Sequence, residues 1–137
     1  MNVEQIAPSA LFPEEVALLE KSVATDSSGT DLTAVLGEVA AGKAALWLMS
    51  CEQQPTMRGV AVTQVLNEPA GRELYIWHVA GTKGSFLYFY EEFIEQMTKY
   101  AEHWNCVRIG SGSNPTSARL LKARGWTHQY SYMTLEV

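Results

Sequence analysis

Residues 79–104, VAGTKGSFLYFYEEFIEQMTKYAEHW, decide how the chain is read. Phe86, Tyr90, Phe93, Ile94, Met97, Ala101 and Trp104 recur at three- and four-residue spacings, with Glu91, Glu92, Glu95, Lys99 and Glu102 across from them. That period predicts an amphipathic helix of about five turns. Gly81 and Gly84 stand just before it and reach backbone conformations closed to other residues. Ser85 is a candidate cap. The preceding ELYIWHVA (73–80) is rich in β-branched and aromatic residues, so the junction reads as strand, glycine loop, helix.

Upstream, ALWLMS (45–50) and RGVAVTQVL (58–66) are also β-rich, and EQQPT and NEPAG supply turn formers between the three runs. Short connections predict an antiparallel meander. Before it, PEEVALLEKSVA (13–24) opens with Pro at a first helical position and acids in the first turn, with Val16, Leu19 and Val23 on one face. DSSGT breaks that helix, and Asp31 or Thr30 caps a second, LTAVLGEVAAGK, which turns Leu32, Val35, Leu36 and Val39 inward and ends near Gly42. A short strand at Val3–Ile6 fits the lead-in.

Downstream, CVRIGS (106–111) predicts a short buried strand parallel to the one before the long helix. NPTSARLLKARGW (114–126) carries helix punctuation: Asn114 as N-cap, Pro115 at N1 and Gly125 after the last turn. THQYSYMTLEV (127–137) alternates as one long closing strand. The expected order is ααβββαβαβ, an α/β (α+β) domain over 1–137 with a mixed, mainly antiparallel central sheet flanked by helices.

Composition narrows the function classes. Of 137 residues 47% are apolar and 18% charged, a globular balance, and the net charge is −5 with ten scattered Lys and Arg. No basic face for nucleic acid is expected. No apolar run approaches the roughly 20 residues that span a bilayer. The N-terminal residues lack a basic stretch followed by an apolar one, which predicts a cytoplasmic protein or a component of a soluble assembly. Cys51 and Cys106 read as small buried hydrophobes in a reducing compartment. His103 and His128 have no partner at ligand spacing, so no metal site is expected. Ser111 and Ser113 lack the surroundings of a nucleophile.

Chemistry is best sought at VAGTKGSF. Free N–H groups and the positive end of a helix dipole would face an anion there, and Lys83 adds charge. Taken alone, Gly-x-x-Gly also suits an ordinary turn.

The strand, the glycine loop, the long helix, the short strand and then Asn114, Ala118, Arg119, Leu120 and the pair Gly125-Trp126 together resemble the core of GNAT N-acetyltransferases, over about Ala45 to Val137. The resemblance implies an acyltransferase that takes acetyl-CoA and passes the acetyl group to a primary amine, on a small molecule or a protein. It implies that Gly81, Thr82, Lys83, Gly84 and Ser85 hold the CoA pyrophosphate, that Val79 and Ala80 face pantetheine, and that Asn114 lies near the thioester. Glu73 and His78, on the strand before the loop, are the positional candidates for a base; without the resemblance they read as a carboxylate exposed beside a turn and a half-buried histidine.

Three features depart from the family pattern. The loop is short and has Phe86 where a small residue is usual, Leu121 occupies the position of the common acidic Tyr, and one closing strand replaces a hairpin. The chain is also similar to short acetyltransferase-like proteins of tailed phages. That likeness implies an alternative: a silent protein of this fold acting as a virion or assembly component or host-protein binder, with Tyr130 and Tyr132 at a partner or homodimer edge.

Overall fold

The computed structural model describes residues 1–24, 30–112, 115–129 and 132–137. Among these, seven strands form one sheet in the order β1-β2-β3-β4-β5-β7-β6. The elements are β1 (Asn2–Ile6), α1 (Pro13–Ala24), α2 (Leu32–Ala40), β2 (Ala45–Ser50), β3 (Gly59–Glu68), β4 (Gly71–Gly81), α3 (Ser85–His103), β5 (Arg108–Gly112), α4 (Pro115–Lys122), β6 (Thr127–Gln129) and β7 (Tyr132–Glu136). β1 to β4 pair antiparallel, β4 and β5 parallel, and β5 antiparallel with β7. The mixed sheet with flanking helices is the architecture the sequence predicts.

Side-chain alternation sorts the core into two layers. Ala45, Trp47, Met49, Leu74 and Ile76 face α3 and pack with Phe89, Phe93, Met97, Trp126 and Met133. Leu46, Val60 and Val62 face the other way, onto Leu19, Val23 and Val35 of α1 and α2. Trp47 satisfies its buried indole by donating to Thr63 Oγ1 at 2.9 Å. Asp31 caps α2, accepting from the Ala34 amide at 2.8 Å.

Three expectations are corrected. The buried row of α3 is Ser85, Phe89, Phe93, Met97 and Ala101, a continuous i, i+4 ridge with Tyr90 beside it; Phe86 and Trp104 are 39% and 42% exposed. The single closing strand is two, β6 and β7, paired antiparallel through Thr127↔Thr134, His128↔Met133 and Gln129↔Tyr132. Glu73, expected at the surface, is buried. Asn114, Tyr130 and Ser113 lie outside the described residues.

The two cysteines are free and similarly buried, with 8% and 5% exposure for Cys51 and Cys106, yet their surroundings differ. Tyr88 donates its hydroxyl to Cys51 Sγ at 3.3 Å, which holds that thiol below its ordinary range against the opposing effect of burial. Burial pushes the Cys106 thiol up. Because thiolate, not thiol, reacts, Cys51 is expected to alkylate at lower pH than Cys106, and Tyr88→Phe to move the Cys51 profile upward. Iodoacetamide labelling followed by peptide mass spectrometry across pH checks both.

Candidate functional site

The site begins with a fault in β4. Val62 pairs with His78 but Thr63 pairs with Ile76, so Trp77 is an extra residue on β4, a β-bulge. Before it, Leu74 and Ile76 face α3. After it the alternation is reversed. His78 sits opposite Val62 and Ala80 opposite Val60 on the α1/α2 face, and Val79 sits opposite Ala61 on the α3 face. Trp77 and His78 consequently lie close, with ring centroids 5.1 Å apart.

The bulge coincides with the parting of β4 and β5. Their parallel pairing runs from Glu73↔Arg108 to Ile76↔Ser111 and stops, while β4 stays paired with β3 to Gly81 and β5 with β7 to Gly112. A cleft of about 870 Å³ fills the opening. Its lining includes Ser22 of α1 together with Phe89, Tyr90 and Phe93 of α3, so it reaches both faces of the sheet. Ile76, Ser111 and Gly112 line its apex, and Leu121 and Trp126 close one side.

At the mouth lies the glycine loop. The N-cap of α3 is Gly84, at φ +82°, and not Ser85, which is the first helical residue. A glycine cap brings no side chain to compete for the helix's first amides, so the N–H groups of Phe86 and Leu87 are left to other acceptors. The Ser85 amide is already used by Thr82 O at 2.9 Å. Thr82 is tied three ways to Arg58, the residue before β3: its N–H donates to Arg58 O at 2.9 Å, and its Oγ1 accepts from Arg58 N at 3.0 Å and donates to Arg58 O at 3.3 Å. Arg58 is in turn paired at 3.3 Å with Glu15, a fully buried carboxylate of α1. Gly81 packs so tightly that a Cβ there would overlap the Ser85 hydroxyl and press on Arg58 O at 3.0 Å.

Of the residues singled out from sequence, His78, Val79, Ala80, Gly81, Thr82, Gly84 and Ser85 all line the cleft. Lys83 is exposed on the loop and is not part of the lining. Glu73 is also outside it, with Oε1 accepting from Arg108 Nε at 2.8 Å and its carboxyl packed against Gly110. Leu121 lies in the wall. Tyr90, which sequence reasoning treats as an aromatic that could line a pocket at the helix start, does line the cleft, but the bond made by its hydroxyl was missed. Its hydroxyl accepts from Trp126 Nε1 at 2.7 Å, and Arg124 lies 5.1 Å over its ring. No local signal gives that bond, because its donor lies 36 residues further along the chain.

The Glu73–Arg108 pair is 5% and 16% exposed at its side chains, so its rupture should be felt in stability. Arg108→Met is expected to cost about 3 kcal/mol by stranding a buried carboxylate, and Glu73→Leu in the same chain to restore most of that loss. Urea unfolding of the two variants measures it.

No protein-family model and no curated protein sequence matches the chain. Solved structures do. One described as a probable acetyltransferase superposes with a TM-score of 0.71 at 8% identity, covering 94% of this chain and 91% of that one. A tetramutant of the BH1408 protein from Bacillus halodurans gives 0.69 at 10% identity with full coverage of both chains. A protein from Desulfovibrio desulfuricans described as an acetyltransferase of the GNAT family gives 0.65 at 10% identity, covering 98% of each. With its parted β4 and β5, its bulge and the glycine-capped α3, the chain has the fold of the GNAT acetyltransferases.

Proposed function

We propose that the protein binds acetyl-CoA in the β4/β5 cleft and transfers the acetyl group to a primary amine. The observation that carries this reading is the cleft itself, which joins the amide-bearing start of α3 to an opening on the α1/α2 face. The residues fit the co-substrate. Gly84 leaves the α3 amides available to a pyrophosphate, with the Thr82–Arg58 clamp holding the loop in place. Among the described residues no strand pairs with β4 on its β5 side beyond Ile76, which leaves main-chain groups around Val79 and Ala80 to an amide-bearing chain. Phe86 turns along the wall, its ring edge-on to Tyr90 at 5.8 Å.

When bound, acetyl-CoA supplies an activated acyl group on a thiol leaving group. The chain's own part is placement. The loop fixes one end of the donor, the parted strands orient the other, and the amine approaches from the α1/α2 side, where His78 faces. His78 is the residue assigned to take the amine's proton. Glu73, engaged by Arg108 away from the cleft, is given no such part here. Asn114 keeps its assigned place near the thioester as part of this reading.

A second reading is favoured by Leu121: an aliphatic wall where a hydroxyl is usual suits a protein of this fold that does not transfer, and serves as a virion component or host-protein binder. Calorimetric titration separates the two. Acetyl-CoA is expected to bind in the micromolar range, and Gly84→Asp, which puts a carboxylate against the α3 amides, to weaken binding at least roughly tenfold, or about 1.4 kcal/mol. No binding at millimolar acetyl-CoA would sink the transferase reading. Binding without turnover on a panel of amines, with a stable protein partner in pull-downs, would favour the second.

A further inference from the structure

We propose that the Tyr90 hydroxyl is the proton donor of the cleft, directed at the sulfur of the bound thioester. This rests on the transferase reading. An indole N–H can only donate, so the 2.7 Å bond from Trp126 Nε1 uses a lone pair of Tyr90 Oη and leaves the phenolic proton undirected. Among the described residues the hydrogen bond found at Tyr90 Oη is this one from Trp126. Tyr90 is 8% exposed, and the open space beside it is the cleft. The hydroxyl is thus a buried donor aimed at whatever fills the cavity.

Its position suits a leaving group. Tyr90 is five residues along α3 from Ser85, about 7.5 Å deeper than the loop amides and toward the walls made by Leu121 and Trp126. Two other hydroxyls of the lining are committed: Ser111 donates to Gly112 O at 3.0 Å and Thr82 to Arg58 O at 3.3 Å. In transfer from a thioester to an amine the C–S bond breaks as the N–C bond forms. Sulfur must gain a proton and nitrogen must lose one. Tyr90 gives its Oη–H to sulfur, the Trp126 N–H remains on the phenolate oxygen, and the Arg124 cation lies over the ring. The phenolate then takes a proton from water, and the amine's proton leaves through His78 to solvent. Every proton is accounted for without a co-reactant.

The test uses Tyr90→Phe and three readouts. First, CoA and desulfo-CoA, which lacks the thiol, are titrated into both proteins. The wild type is expected to prefer CoA by about threefold to tenfold, the worth of one hydrogen bond, and the variant to bind both alike. Second, acetyl-CoA turnover with water or amines should fall about 100-fold in the variant. Third, cleavage of p-nitrophenyl acetate, whose phenolate departs unprotonated, should change less than about threefold, since it needs no acid. Equal preference for CoA in both proteins, or parallel loss on both esters, overturns the assignment of Tyr90 and leaves the transferase reading standing. Failure of the wild type to bind either CoA form overturns that reading itself, and the Tyr90 proposal with it.

Discussion

The extra residue in β4 is the constraint on which the site depends. A strand paired on both sides must keep strict alternation, and a one-residue insertion breaks it. At Trp77 the insertion bends β4, ends its pairing with β5 after Ile76, and exchanges the faces of every later residue. Without it, His78 would follow Leu74 and Ile76 into the core under α3. Val79 would then join Trp77 on the α1/α2 face. The cleft and the distribution of its walls are thus two consequences of one irregularity.

The loop after the bulge is held from the opposite side of the sheet. Glu15 of α1 pairs with Arg58, and the Arg58 backbone is bonded from both its N–H and its C=O to Thr82. A loop that leaves the first amides of the helix without a side-chain cap must draw its rigidity from elsewhere. Here it comes from the residue just before β3, whose side chain is anchored to a buried carboxylate. Gly84 completes the economy, since it ends the loop in a left-handed conformation and adds no capping group.

Tyr90 and Leu121 come together in space although they lie 31 positions apart in the chain. Leu121 of α4 and Tyr90 of α3 line one cavity, and Trp126, just past α4, is hydrogen-bonded to the α3 hydroxyl. An aliphatic residue on one helix thus faces the same space as a phenol on its neighbour.

Much of the fold was legible in the residues alone. The helical period of 86–104, the β-rich runs at 45–50, 58–66 and 73–80, Asp31 before its helix and Gly125 after α4 follow from local preferences, and each falls on an observed element or its end to within three residues. The same preferences misplace the inner row of α3. Phe86 and Phe89 are equally apolar, and only the sheet beneath selects the ridge that runs through Phe89. They merge β6 with β7 for a similar reason, because alternation continues through a reversal.

The glycine loop was visible as a loop. Its glycine cap, the Thr82–Arg58 clamp, the burial of Glu73 against Arg108 and the bond between Trp126 and Tyr90 join residues 24 to 36 positions apart or depend on a neighbour's conformation. The sequence by itself determined which segments are strands and helices, since that choice is made by side-chain period and backbone freedom within a few residues. Only the tertiary structure decided which face His78 and Val79 take, because a bulge is settled by pairing with β3, and pairing is an energy shared between strands.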